Sequence, residues 1–212
     1  VNPDVLIEKY GADTLRMYEM FLGPIEQSKP WNANGIEGVS KFVRKFWNLF
    51  HDNNELFEVS EEQPSKQEFK ILHKLIKKIE DDIENFSLNT SISSFMVATN
   101  ELAQIKCNKR QILEPMVIMI SPYAPHLGEE IWNKLDKKNS IVNAKFPTFN
   151  STYLIEDFFE YPISVNGKMR AKLSFSLDTP INNIKQEVLN HHIIKKWLDG
   201  KTPKKVIVVH KK

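Results

Sequence analysis

The chain has 212 residues, 41% of them hydrophobic and 26% charged, with a net charge of +2. This is ordinary globular composition and excludes a disordered or collagenous chain. No stretch approaches the roughly 18 uncharged apolar residues of a membrane span, one cysteine excludes an internal disulfide or multi-cysteine zinc site and fits a reducing compartment, and 7 ungrouped glycines exclude a Walker loop or Rossmann fingerprint.

The chain opens at Val1 with no targeting segment, as expected of a piece of a longer protein. Asn2-Pro3-Asp4 reads as a helix start, with Asn2 as N-cap, Pro3 at the first helical position and Asp4 at the positive end of the dipole. Gly11 in the left-handed conformation stops that helix, and a second runs from about Ala12 to Leu22 before Gly23-Pro24. The stretch 25–34, with Pro30 and Trp31, is a loop. From Ile36 to Phe50 the apolar positions Ile36, Val39, Phe42, Val43, Phe46, Trp47 and Phe50 fall on one stripe, and Lys41, Arg44 and Lys45 lie off it.

A polar linker, 51–64, precedes a helix over 66–85 with Phe69, Leu72, Ile76, Ile79 and Ile83 on its inner face. The next helix, over 89–107, turns Ile92, Phe95, Met96, Thr99, Leu102 and Ala103 inward. Ile112 to Ile120 is apolar on nearly every side and should be the most buried helix. Pro125 opens a last helix to Leu135, with Leu127, Ile131 and Trp132 inside. Antiparallel helices with short connections make a bundle, in which Trp47 and Trp132 should be largely buried.

Composition changes after Leu135, and the boundary is expected near residue 150. Two period-two stretches, 161–165 and 169–175, flank Asn166-Gly167 and read as a hairpin. A two-residue turn would pair Val165 with Lys168 and mix apolar and cationic side chains on one face. A three-residue loop, 166–168, pairs Val165 with Met169, Ile163 with Ala171 and Tyr161 with Leu173, leaving Arg170 and Lys172 on the outer face; this register is expected. A helix over 180–197, broken near His191-His192, and a strand at 206–209 complete a basic α+β module. The 52 residues from Tyr161 onward carry 11 Lys/Arg against 3 Asp/Glu, a density that favours a polyanionic partner.

No catalytic constellation is visible. The six histidines form no ligand pair, and on one helix His191 and His192 would point about 100° apart. His126, at a helix start, is expected to fix a corner by bonding backbone or a carboxylate, and Cys107 to be unreactive.

Several stretches, in order along the chain, resemble class Ia aminoacyl-tRNA synthetases. Val1-Asn2-Pro3-Asp4 and Tyr10-Gly11-Ala12-Asp13-Thr14-Leu15-Arg16 resemble the segment after their KMSKS loop. Gly23 to Trp31 and Gly35 to Val39 resemble the bacterial-type leucyl-tRNA synthetases. Ser121-Pro122-Tyr123-Ala124-Pro125-His126, continuing to Trp132, is similar to the Pro-x-x-Pro-His-x-x-Glu-Glu-x-Trp corner of the helical domain, and residues 165–172 and 204–209 are similar to the small C-terminal domain.

The resemblance implies a mainly α, multidomain C-terminal piece of such an enzyme. Its parts would be stem-contact helices and loop at 1–34, a helical bundle of anticodon-binding type at 35–150, and a basic α+β tRNA-binding domain at 151–212, whose sheet the family completes with a further strand. The parent would be a cytoplasmic ligase joining leucine to tRNA(Leu) with ATP and magnesium. The KMSKS and HIGH motifs, the nucleotide fold and the editing domain would lie elsewhere. The piece would hold no cofactor, be inactive alone, monomeric and away from membranes, and meet leucine and ATP only through other domains. The family leans on the tRNA elbow and long arm rather than on anticodon bases. Lys41, Arg44, Lys45, Lys168, Arg170, Lys172, Lys204 and Lys205 are the candidate phosphate contacts. The competing reading is an autonomous helical scaffold with a basic appendage that binds protein or RNA non-enzymatically.

Overall fold

The computed structural model describes residues 2–32, 35–155, 158–177 and 179–209. It divides into two compact units, Val1–Leu154 and Ile155–Lys212. The structure is mostly helical, with one two-stranded antiparallel sheet among the described residues.

The first unit holds α1 (Pro3–Tyr10), α2 (Ala12–Phe21), α3 (Gly35–Trp47), α4 (Lys66–Glu84), α5 (Leu88–Gln104), α6 (Arg110–Ile120) and α7 (Pro125–Lys134). Asn2 caps α1 by accepting the Asp4 N–H at 2.9 Å. Gly11 ends it at φ 85°, but with ψ 153° it is extended rather than left-handed helical. Ser65 and Glu68 form a reciprocal capping box on α4. A 3₁₀ turn, Asn48–Phe50, extends α3 and buries Leu49 and Phe50.

The expected faces hold with two shifts. On α4 the buried apolar residues are Ile71, Leu72, Leu75, Ile76 and Ile79, whereas Ile83 is 41% exposed. Trp132 is buried, but Trp47 is only half-buried, stacked on the His51 ring with centroids 4.2 Å apart. All six of the buried side chains of α6 (Ile112, Leu113, Met116, Val117, Met119 and Ile120) are sealed in the core, and the helix continues through Pro115.

Three helices end alike. In α4, α5 and α7 the residue after the cap has positive φ: Phe86 at 51°, Lys106 at 53° and Asp136 at 61°. The following N–H reaches back to Asp82, Leu102 and Trp132 respectively, closing a Schellman motif each time without glycine.

The α6–α7 corner is tied to α2. Asp13 Oδ2 accepts the Leu127 N–H at 2.7 Å, and Oδ1 lies 2.8 Å from His126 Nδ1, so an acid from a distant helix caps α7. Arg16 Nε and Nη2 both donate to the Pro122 carbonyl. Gly128 permits the close turn, since a Cβ there would sit 2.8 Å from Ser121 Cβ. His126 is thus the corner residue its position implied. Residues 151–154 also fold with the helical unit: the Tyr153 ring stacks on Phe69 and His73, both at 4.5 Å, and the Asn150 N–H donates to His73 Nδ1 at 3.2 Å. The division therefore falls past the composition change.

The second unit comprises β1 (Phe158–Val165), β2 (Lys168–Ser176), α8 (Ile181–Asn190) and α9 (His192–Leu198), closed over Phe175, Ile184, Val188 and Ile194. The three-residue loop is a correction. Asn166 and Gly167, at φ 52° and 77°, form a two-residue turn with Val165 opposite Lys168 and Ser164 opposite Met169. The register then shifts, and Ile163 faces Ala171 and Tyr161 faces Leu173 as expected. Arg170 is the extra residue, a bulge that reconciles the turn's preference for positive φ with the core's preferred pairing.

Residues 206–209 are a second correction. They alternate in exposure but form no strand and pair with none among the described residues.

Candidate nucleic-acid interface

On α3 the buried residues Ile36, Val39, Phe42 and Phe46 set one face, so Lys41, Arg44 and Lys45 emerge on the other, all exposed. Lys45 Nζ donates to Asn100 Oδ1 of α5 at 2.5 Å. Lys41 and Arg44 make no ion pair among the described residues. Both basic residues of the last turn also suit the negative end of the helix dipole.

In the second unit the sequence candidates separate by environment. Lys168 stands exposed where the turn enters β2. Lys172, also exposed, lies 3.1 Å from Glu160 across the hairpin, a solvated pair of little energetic weight. Arg170 does not project outward with Lys172. As the bulge residue it is half-buried, its guanidinium 3.5 Å from the centroid of the Trp197 ring. Lys204 and Lys205 are exposed beyond α9. The structure therefore gathers three of the eight candidates on α3, and of the five in the C-terminal unit it leaves Lys168, Lys172, Lys204 and Lys205 exposed.

Other exposed cations of that unit went unselected: Lys195 and Lys196 in the last turn of α9, and Lys201 just after it. The adjacent Lys195-Lys196 pair beside Trp197 was a legible signal, hidden by reading the segment only as helix. Trp197 itself is 47% exposed, unusual for so large a ring. Beside these residues an apolar groove of about 1250 Å³ is lined by Tyr161, Ile163, Val188, Trp197, Val206 and Val208.

Among the described residues no three His, Cys, Asp or Glu side chains come together to hold a metal ion. His191 and His192 lie closer than expected, with ring centroids 4.5 Å apart, because His191 is the cap of α9 and stands outside the helix. Burial pushes the Cys107 thiol up to about 12, so it stays protonated and inert.

The family profile described as the anticodon-binding domain of tRNA ligase matches residues 69–187, across the junction of the two units. Over all 212 residues the chain is 56% identical to a leucine–tRNA ligase of Cytophaga hutchinsonii and 54% identical to one of Bacteroides thetaiotaomicron. It spans 23% and 22% of their lengths. Its fold is similar to a LeuRS chain from Agrobacterium radiobacter K84, solved in a ternary complex with tRNA and LeuAMS. That match has a TM-score of 0.68 at 22% identity and covers 99% of this chain and 29% of the other.

Proposed function

Since the chain belongs to the family of anticodon-binding domains of tRNA ligases, we propose that it is the tRNA-docking portion of a leucine–tRNA ligase. The observation that carries this reading is the match to leucine–tRNA ligases along the whole chain, at 56% identity. The parent enzyme attaches leucine to tRNA(Leu) with ATP and magnesium in the cytoplasm, through domains outside these residues. The part described here holds the tRNA, as a monomer, and charges none by itself.

The cations serve backbone and shape recognition of folded RNA. Lys168, Lys204 and Lys205 lead, since all three are exposed and the C-terminal unit carries the basic excess. Lys41 and Arg44 form a second contact on α3. Lys172 shares its charge with Glu160, and Arg170 acts by stacking on Trp197 rather than as a phosphate ligand. Titration of a tRNA(Leu) transcript at several salt concentrations tests this. Replacing Lys168, Lys204 and Lys205 together with Ala should weaken binding and flatten the log–log salt slope by up to about 2–3 units. An unchanged slope in a folded variant removes these residues from the interface, and no tRNA binding by the intact chain would favour the helical scaffold instead.

A further inference from the structure

Trp197 stands outside the core that Phe175, Ile184, Val188 and Ile194 form, and its indole is 47% exposed. One face of that ring is already covered, since the Arg170 guanidinium lies 3.5 Å from its centroid. Trp197 also lines the groove of about 1250 Å³, whereas Arg170 does not. The guanidinium and the groove therefore meet different sides of the indole. What solvent reaches is a flat aromatic surface that borders the groove.

The hairpin holds that surface in place. Regular alternation along β2 would send Arg170 outward with Lys172, but the bulge re-aims it onto the ring. Arg170 Nε is buried without a hydrogen-bond partner, so contact with the indole takes the place of a polar one. An indole stacked on one side cannot turn freely, and its open side is preorganised for a second stack.

The surroundings specify what that second stack is. The groove has an apolar lining that includes Val188, Leu198 and Val206, and four lysines, Lys185, Lys201, Lys204 and Lys205, border it. Asp199 is the one acid among its described lining residues. A ligand that suits both parts has a planar aromatic body with negative charge attached. A nucleotide is such a ligand, because its base stacks on aromatic side chains while lysines meet its phosphates. An acidic peptide would satisfy the lysines and leave the indole bare. Room is not limiting, since sites for small molecules run to about 300–1,000 Å³.

We propose, on the tRNA-docking reading of this chain, that Trp197 is a stacking platform for an unpaired base of the bound tRNA, with Arg170 as the residue that positions it. The base lies on the side of the indole opposite the guanidinium, and its flanking phosphates face Lys201, Lys204 and Lys205. The C-terminal unit thereby adds contact with a base to its contacts with the backbone.

Titration of tRNA(Leu) against the 212-residue chain and its Trp197 variants, at several salt concentrations, tests the platform. Trp197→Ala should weaken binding by about 5- to 150-fold, the range spanned by one base–aromatic stack. The log–log salt slope should stay unchanged, since stacking releases no counterions. Trp197→Phe keeps a ring that stacks and should keep most of the affinity. Bound tRNA should also quench the tryptophan emission of the intact chain more than that of Trp197→Phe, a readout that serves even where Trp197→Ala does not fold. Undiminished affinity in folded Trp197→Ala overturns the platform, as does equal quenching in the intact chain and Trp197→Phe. A loss of affinity with a flattened slope also overturns it, because the ring would then merely arrange the lysines. No tRNA binding by the intact chain overturns the docking reading and the platform together, whereas binding that survives Trp197→Ala overturns the platform alone.

Discussion

In the helical unit Phe46, Phe50, Ile76 and Phe95 are sealed from water by side chains from several helices, whereas among the described residues the core of the C-terminal unit comprises Phe175, Ile184, Val188 and Ile194. The first unit reaches its shape by redundancy, so that no one turn has to decide it. The second has a core too thin for that. It depends on local devices: a turn of two positive-φ residues, one bulge, one guanidinium laid on an indole. The contrast shows where each unit is vulnerable, the one in its packing and the other in its backbone.

The largest test of that contrast is in the helical core. Trp132→Ala should cost about 3–5 kcal/mol, because it empties a buried site and removes the Nε1–H bond to the Asn139 carbonyl at 2.8 Å. Trp47→Ala, at a half-buried ring, should cost clearly less in the same denaturant titration. Equal losses would break the distinction between core and margin.

Next in size is the cap that crosses from α2 to α7. Asp13→Ala should destabilise by about 1–2 kcal/mol, since it orphans the Leu127 N–H and frees His126. If unfolding midpoints hardly move, the corner is held by apolar packing alone.

A smaller effect of opposite sign is expected where helices end without glycine. Lys106→Gly relieves a side chain held at φ 53° and should stabilise by about 0.5–1 kcal/mol, the relief partly offset by a looser unfolded chain. A net loss would mean that the lysine's contacts outweigh the backbone strain.

The smallest effect is one of pH. Burial holds the His73 imidazole below the ordinary histidine range, and its Nδ1 accepts from Asn150, so the neutral ring belongs to the folded state. As pH falls, the unfolded chain takes up the proton first. The contribution of His73 is therefore complete above a pH of about 6.5 and is lost as pH drops from there toward the depressed folded value. His73→Phe should flatten this acid-side decline. Superimposable stability–pH curves for the two proteins would discount the histidine.

Much of the helical unit was legible because amphipathic periodicity is repeated over many turns. The ends were less so, since Phe86, Lys106 and Asp136 occupy positions where the usual signal is glycine, and the helices were expected to run on to 85, 107 and 135. In the hairpin two rules conflicted. Asn166-Gly167 called for a two-residue turn and the apolar alternation for an odd one, and only a bulge satisfies both, which neither rule announces. The candidate interface was legible as charge and not as geometry. Sequence marks Arg170 as a cation among cations. Its half-burial on Trp197 depends on two segments meeting in space.

The strap at 149–154 bears on how such a chain can be divided. Composition invites a cut near residue 150, and that cut would strip Tyr153 from the rings of Phe69 and His73 and leave that face of α4 open to water. A helical module ended after Leu154 keeps its own lining. Domain exchange between relatives, whether by recombination or at the bench, thus has a natural seam set by aromatic contact rather than by the change in sequence character.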